Sequence, residues 1–222
     1  MFILHSSFFI LHSEALLLAA ITLGAFALRL WGIGSLGDLD FDEQASFFIG
    51  SMPPGEMLAY LLAAPFEHPP LFYLVFHAWL LAVGGSEAAM RAFAVFPGTL
   101  AVPVVGAAVG RMAGPRGAIV AAAVLALAPL HVYYSRDARM YSLLSLWMAL
   151  AVYAVSSFEF RVSSSEFSVP TRNSKLETRN SVALLMAAGV AALATHYYAA
   201  VIVVSVAIAF ALARRRGWGR RS

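Results

Sequence analysis

The sequence contains no cysteine and few charged residues. Only 12% of its residues are charged, whereas a soluble domain carries roughly a quarter. The lack of cysteine excludes disulfides, thiolate metal sites and cysteine nucleophiles. What is abundant is apolar: 61% of the residues are hydrophobic and the mean hydropathy is +0.78. Water is therefore not the main solvent of this chain.

Several common functional signatures are also missing. There is no phosphate-binding P-loop, no dinucleotide fingerprint and no HExxH motif, which argues against nucleotide-driven transport and zinc proteolysis. The formal net charge is only +3 and most arginines stand at the ends of apolar blocks. The basic balance thus indicates membrane orientation, and nucleic acid is not an expected partner.

The apolar residues form blocks of about 15 to 20, the length that crosses a hydrocarbon core of about 30 Å as a helix. The first block lacks a basic leader and an A-x-A exit, so we interpret it as a retained span rather than a signal peptide. The sequence predicts an all-α, polytopic transmembrane helical bundle of about six spans, with one further apolar helix at 69–83. The predicted spans are 15–33, 92–110, 117–134, 141–157, 182–195 and 199–213.

Arginine positions predict the orientation. Arg111, Arg116 and the arginines of the tail at 214–221 are expected on the cytoplasmic side, because cytoplasmic ends of spans carry an excess of basic residues. Counting spans from there places the segments 38–43, 135–141 and 195–198 together on the outer side. This requires that the helix at 69–83 does not cross but lies in the interface or re-enters.

Short repeats occur before the predicted domain and within it. FILHS occurs at 2–6 and again at 9–13, and TRNS occurs at 171–174 and again at 178–181. Neither repeat carries an apolar stripe. We interpret 1–14 as an atypical amino-terminal extension and 158–181 as a disordered cytoplasmic insert. The transmembrane domain would then occupy 15–213, followed by a basic cytoplasmic tail at 214–222.

Four acids follow the first predicted span, more than the end of a span needs. A solvated loop would explain them, but a carboxylate here can also deprotonate an acceptor hydroxyl or hold a divalent cation against a phosphate. The acids are Asp38, Asp40, Asp42 and Glu43.

Two basic positions interrupt apolar sequence in the segment HVYYSRDARMYSLL. Arg136 and Arg139, with Asp137 between them, are costly at a membrane boundary unless they are used. Guanidinium groups match phosphate oxygens, so they and Arg91 are candidates for a phosphate-bearing ligand. The alternative is structural pairing with the acids. His68 precedes a proline-started helix, and His196 and Tyr197 lie in a later turn; on the residues alone these read as capping and interfacial residues.

The ordered set FDEQAS, EHPPLFYL, MRAFAVFPGTLAV, APLHVYYSRDARMYSLL and THYYA carries a resemblance. It resembles the bacterial branch of the GT-C membrane glycosyltransferases, close to the dolichyl-phosphate-mannose protein mannosyltransferase family. Relatives of that family move aminoarabinose or mannose onto lipid, cell-wall or protein acceptors. The resemblance covers about 15–213 without the insert. Its specificity lies in the order of the motifs.

The resemblance implies an inverting sugar transfer from a polyprenyl-phosphate donor to a protein, lipid or glycan acceptor. It places a multi-pass enzyme in the bacterial inner membrane with its active face outward. Asp42 would be the base, supported by Glu43, and a divalent cation stays an open possibility. The residues expected to bind substrate are His68, Arg91, Arg136, Asp137, Arg139, Tyr141, His196 and Tyr197.

Family members are generally much longer, so the chain is expected to be an amino-terminal part of such an enzyme. Two other classes compete with the enzyme: an inactive fragment or membrane scaffold, and a transporter subunit. A transporter should carry its ionisable residues near the middle of its spans. Here the acids and arginines gather at span ends, which favours chemistry at the membrane surface.

Overall fold

A computed structural model describes residues 2–64, 66–165 and 172–205. The described part is helical and contains no strand, which confirms the all-α prediction. A 3-10 turn at Ile33–Ser35 follows the first helix, and residues 198–205 are helical as well. The α-helices are α1 (Phe2–Leu30), α2 (Phe41–Gly50), α3 (Pro54–Ala63), α4 (Pro70–Val83), α5 (Glu87–Leu127), α6 (Pro129–Tyr134), α7 (Tyr141–Ser165) and α8 (Arg172–Thr195).

The long helices have the length and surface of membrane spans. Glu14–Ser35 and Glu87–Leu127 each contain an 18-residue window with a mean hydropathy of 1.9. Large apolar side chains on α1, α5 and α8 point outward rather than into the protein, among them Leu16, Leu23, Val124 and Val190. A hydrocarbon surrounding accepts such side chains at no cost, while the helices satisfy their own backbone groups. The described chain is a helical membrane bundle.

Helix α5 is a hairpin of two arms that meet at Gly114. This glycine has φ 72° and ψ −177°, a conformation that a side chain would strain. Pro115 then begins the second arm, where its missing N–H costs no hydrogen bond. A Cβ added at Gly110 would meet the Cβ of Ala118 at 2.9 Å. The two predicted spans 92–110 and 117–134 are therefore antiparallel neighbours in close contact, although the second ends at Leu127 and α6 follows it.

Both ends of helix α4 lie near the same end of the bundle. The chain enters it at His68, whose Nε2 lies 3.5 Å from Arg139 Nη2. Near the other end, Trp79 Nε1 donates to the carbonyl of Ala89 at 2.8 Å, two residues before Arg91 joins the same polar cluster. With only 14 residues, the helix does not carry the chain across the bundle, as the sequence predicted for 69–83.

An aromatic core lies directly beneath the polar end of the molecule. Phe72 stacks on Phe76 with ring centroids 5.4 Å apart, and Phe93 meets both rings edge-on. Ile49 of α2 and Met140, next to α7, complete the same buried cluster. Edge-to-face aromatic contacts of this kind add about 0.5–1.5 kcal/mol beyond the area that they bury. They fix α4 against α5 below the candidate site.

Helices α7 and α8 form a second antiparallel pair. The pair extends beyond the predicted spans: α7 continues to Ser165 and α8 begins at Arg172. Of the predicted insert at 158–181, residues 158–165 and 172–181 belong to these helices, while 166–171 lies outside the described residues. Extending an existing helix costs less than nucleating a new one, so helices run on from apolar spans into polar sequence. Of the predicted span at 199–213 only the part up to 205 is described, and the tail at 214–222 lies outside.

Arg111 marks the end of the bundle opposite the polar cluster. It lies three residues before the turn of the α5 hairpin, with its guanidinium carbon 3.9 Å from the ring centroid of Tyr153. Its Nη2 also donates to the hydroxyl of Tyr153 at 2.7 Å. This contact ties α5 to α7 far from the acids, as expected if Arg111 faces the cytoplasm.

Two short helices were not predicted. The segment 38–43 was expected to be a loop, but Asp40 caps α2: its Oδ1 accepts from the N–H of Glu43 at 2.8 Å, and Glu43 Oε2 accepts from the N–H of Asp40 at 3.2 Å. This reciprocal capping box is visible in the sequence as an acid followed three residues later by Glu. Helix α3 starts at Pro54. The sequence PPGE at 53–56 was the local signal for this helix start.

Gly98 on the first arm of α5 allows the chain at Ser135 to pack against it. An added Cβ would overlap the side chain of Ser135 and lie 3.4 Å from its Cα, and Ser135 is fully buried. We expect Gly98→Ala to lower the free energy of unfolding by about 1–3 kcal/mol, because overpacking displaces backbone. Gly24→Ala, whose Cβ would meet nothing within 4 Å, is the matched control. Thermal unfolding in detergent should separate the two variants; equal midpoints would contradict the close packing at Ser135.

Candidate functional site

The carboxylate of Glu43 lies at the centre of the polar end. It is 3% exposed and accepts four hydrogen bonds. Arg91 binds it with both Nε (2.9 Å) and Nη2 (2.7 Å), in the bidentate geometry that guanidinium favours. The backbone N–H groups of Ala138 (3.0 Å) and Asp40 (3.2 Å) complete the set. Glu43 thereby joins α2, the start of α5 and the 136–139 loop.

These contacts keep Glu43 charged. Burial alone would raise its pKa, but the hydrogen bonds from Arg91, Ala138 and Asp40 and the charge of Arg91 outweigh burial, so its pKa lies below the usual value. An ionised carboxylate with every oxygen engaged is a poor acceptor for another proton. The geometry suits Glu43 to holding the site together rather than to acid–base chemistry.

Arg91 is committed in the same way. Besides Glu43 it donates to the carbonyls of Gly37 at 2.8 Å and Asp38 at 3.0 Å, and it is 5% exposed. Four of its five N–H groups thus have partners within the protein. Of the two interpretations offered by the sequence, this arrangement favours structural pairing over phosphate binding for Arg91.

Asp42 differs from its neighbour, since its side chain is 59% exposed. Its Oδ2 lies 3.7 Å from Nη2 of Arg139. Arg139 is nearly buried and also donates through Nη1 to the carbonyl of Asp42 at 3.1 Å and to the hydroxyl of Ser46 at 3.3 Å. Its Nε is buried without a partner among the described residues. The result is an accessible carboxylate beside a positively charged group held in place from below.

Two histidines adjoin Arg139. The rings of His68 and His196 lie 4.4 Å apart. Burial, with the charges of His196 and Arg139, lowers the pKa of His68 to about 4, so its imidazole is neutral at pH 7. Since Arg139 can only donate, His68 accepts at Nε2 and carries its proton on Nδ1, which is buried without a partner in the described structure.

His196 is oriented by its own turn. Its Nδ1 accepts from the N–H of Tyr198 at 3.1 Å, which leaves the proton on Nε2 of the neutral ring. Burial and the charge of Arg139 lower the pKa of His196 as well. Tyr197 lies 6.4 Å from His68 and Tyr141 lies 5.9 Å from His196, both as ring centroid distances. The predicted binding residues of α7 and the last turn therefore surround the two histidines.

Arg136 and Asp137 face a different space. They line a cavity of about 620 Å³ together with Asp38 and Asp40, and with an apolar wall that includes Leu127 and Val132. Arg136 Nη2 donates to the carbonyl of Trp31 at 2.5 Å. Arg136 Nε and Asp137 Oδ1 are buried and have no partner among the described residues. The cavity therefore combines acidic and basic lining residues with an apolar wall.

The proton affinity of Asp137 reflects this position. Burial and the charges of Glu43 and Asp40 raise its pKa to about 7, against the opposing charge of Arg139. Near neutral pH Asp137 can therefore either hold or release a proton. Such a group can donate to, or accept from, a ligand hydroxyl.

All ten residues selected from the sequence lie in this one connected cluster, but the cluster has two sides. Asp42, Arg139 and the histidines form an outer rim, and Arg136 and Asp137 line the cavity. The Glu43–Arg91 pair, whose side chains also line the cavity, links the two sides. Sequence reasoning missed Ser46 and the backbone donors of Asp40 and Ala138. Backbone donors have no residue signature.

A divalent cation has no evident ligand set here. Among the described residues, no group of three or more His, Asp or Glu side chains is arranged to hold a metal ion. Glu43 is saturated by donors, and Asp42 and Asp137 lie on different sides of the cluster. The donor set of the described chain does not fit a resident metal.

The buried pair makes a stability prediction. Arg91→Met would leave Glu43 buried and charged without its main partner, so we expect the free energy of unfolding to fall by about 3–5 kcal/mol. Arg116→Met, at an exposed position at the hairpin turn, should change it by no more than about 0.5 kcal/mol. Denaturant unfolding in detergent measures both. A similar, small effect of the two substitutions would show that Arg91 is not a structural tie.

Comparison with known proteins identifies the family of the chain. No curated protein and no solved structure gives a significant match to the chain. Residues 10–218 match the family described as dolichyl-phosphate-mannose-protein mannosyltransferase, so the match covers the bundle and the whole polar cluster. The chain belongs to this family of membrane glycosyltransferases of the GT-C type.

Proposed function

We propose that this protein transfers a sugar from a polyprenyl-phosphate donor to a hydroxyl-bearing protein, lipid or glycan acceptor, with inversion at the anomeric carbon. The observation that carries the proposal is the exposed Asp42 carboxylate beside the buried Arg139 guanidinium, 3.7 Å apart, in a chain of this glycosyltransferase family. A base and a phosphate-binding cation are the two groups that such a transfer requires.

Asp42 is the base in this proposal. As the acceptor oxygen forms its bond to the anomeric carbon, the hydroxyl proton moves to an oxygen of Asp42. The bond between the anomeric carbon and the phosphate oxygen breaks, and its electron pair leaves with the lipid phosphate. Asp42 is the acid of its cluster best placed for this role, because Glu43 has no free oxygen and Asp42 is mostly exposed.

Arg139 and His68 would receive the phosphate. Arg139 is fixed by Ser46 and the Asp42 carbonyl, so little reorganisation is needed when negative charge develops on the leaving group. The neutral imidazole of His68 adjoins Arg139 and in this proposal lies beside the phosphate. His196, Tyr141 and Tyr197 form the aromatic wall beside it, a surface suited to the apolar face of a sugar ring.

The cavity at Arg136 and Asp137 would hold the polar part of a substrate near that rim. The acidic and basic residues that line it suit hydroxyl groups, and its apolar wall suits a lipid or peptide chain. In the membrane, the polar end would face outward from the bacterial inner membrane. Support comes from Arg111 at the opposite end of the bundle, since basic residues favour the cytoplasmic side.

The base assignment is tested by Asp42→Asn in membranes that contain the full chain. With radiolabelled sugar on polyprenyl phosphate, we expect the transfer rate to fall by about 10²–10⁴-fold, the usual contribution of a general base. The amide keeps the size of the side chain but cannot take the proton.

Glu56→Gln serves as the control, since Glu56 is an exposed acid in the first turn of α3 outside the cluster. It should transfer at the wild-type rate. Wild-type activity in Asp42→Asn would contradict the base assignment. Absence of transfer in wild-type membranes, with the protein present and folded, would contradict the proposed function itself.

A further inference from the structure

We propose that Arg29, at the end of the first span, is a positioning residue: it fixes the turn between α5 and α6 and thereby the 136–139 loop of the site. The catalytic meaning of this inference rests on the proposed function. Its structural part does not, and it is tested separately below. None of the motifs selected from the sequence includes Arg29.

Arg29 is the largest fully buried side chain of the described structure, with 0% exposure. Its Nη1 donates to the carbonyl of Ala25 at 2.9 Å and to that of Ala126 at 3.2 Å. Its Nη2 lies 2.9 Å from Nδ1 of His131, with the carbonyl of Leu125 at 3.5 Å. One guanidinium thus contacts the end of α5, the start of α6 and its own helix.

No carboxylate of the described residues pairs with this buried cation. Its partners are carbonyls of the last turn of α5, where the helix dipole leaves partial negative charge and where carbonyls lack intrahelical donors. An arginine in a membrane bundle is costly unless it is used. The planar guanidinium of arginine presents its donors in a fixed fork, whereas the ammonium of lysine is a compact point charge.

The contact with His131 connects Arg29 to the 136–139 loop of the site. Because arginine only donates, His131 accepts at Nδ1 and its Nε2–H faces the hydroxyl of Ser145 on α7 at 3.1 Å. The carbonyl of His131 accepts from both the N–H and the hydroxyl of Ser135. Ser135 is the buried residue packed against Gly98, and Arg136 follows it directly.

A second contact from the same helix end holds the far side of the loop. The carbonyl of Trp31, two residues after Arg29, accepts from Arg136 Nη2. Helix α6 has only six residues and is therefore too short to define its own position. Contacts from the end of α1 therefore fix the position of α6 on both sides of that short helix. The Ala138 N–H is then presented to Glu43, while Arg139 faces Asp42.

The test uses single cysteines as reporters, because the native chain has none. Ala138→Cys reports on the loop and Ala199→Cys on the turn after His196; both alanines are 0% exposed. With a water-soluble maleimide, Arg29→Met should raise the labelling rate at 138 by on the order of tenfold or more, as expected when a local opening becomes easier. The rate at 199 should stay as in the parent.

His131→Gln provides a milder variant that keeps a polar group near Ser145 but removes the acceptor for Arg29. It should raise labelling at 138 in the same direction with a smaller increase. Arg111→Met, which removes an interhelical arginine from the opposite end, should leave both reporters protected. Equal increases at 138 and 199 would mean general loosening and would overturn the inference. Unchanged labelling at 138 in both Arg29→Met and His131→Gln would overturn it as well.

Transfer activity adds a readout of position. In the proposed reaction, Arg29→Met should lower kcat on the order of tenfold or more with a smaller change in KM, since misplacement of groups by about 1 Å can cost this much. The labelling measurement at position 138 needs no substrate. Failure of the proposed function would therefore leave the labelling result intact, and failure of the positioning role would appear even in an active enzyme.

Discussion

The polar end of this protein depends on the buried Glu43 carboxylate. Its four donors come from three separate stretches of the chain: Arg91 of α5, the backbone of Asp40 before α2, and the backbone of Ala138 before α7. A buried charge is tolerated only when it is fully paired. The three stretches must therefore pack together around the Glu43 carboxylate. The exposed Asp42 is thereby fixed beside Arg139. Ionic pairing inside the protein therefore defines the position of the exposed Asp42 carboxylate.

The same constraint separates two kinds of arginine. Arg29 and Arg91 donate to internal acceptors within the bundle. Arg139 lies at the rim beside the exposed Asp42, and Arg136 lines the cavity. In sequence all four look alike, as single arginines near span ends. Their neighbours in space decide whether they hold the bundle or meet a substrate.

The helical bundle, its spans and the gathering of the motifs at one end were predictable, because hydropathy, arginine bias and proline at helix starts are local signals. That α4 does not cross the bundle followed from counting the predicted spans between the arginines expected on the cytoplasmic side. The acidic run itself does not distinguish Asp42 from Glu43; the resemblance gave them different roles, and the difference in burial between the two carboxylates is visible only in the structure. The helical continuation into 158–165 and 172–181 was not predicted, because the sequence there is polar. The Arg29 contacts span about a hundred residues, and no local pattern announces them.

The central claim is that the segments around Asp42, Asp137 and His196 share one face of the membrane. Single cysteines at Phe41, Tyr133 and Tyr197, all exposed beside these segments, and at Arg116 at the hairpin turn would report it directly. With a membrane-impermeant maleimide on intact spheroplasts, the account predicts labelling at 41, 133 and 197, and labelling at 116 only after permeabilisation. Labelling of 41 and 197 from opposite sides would contradict it.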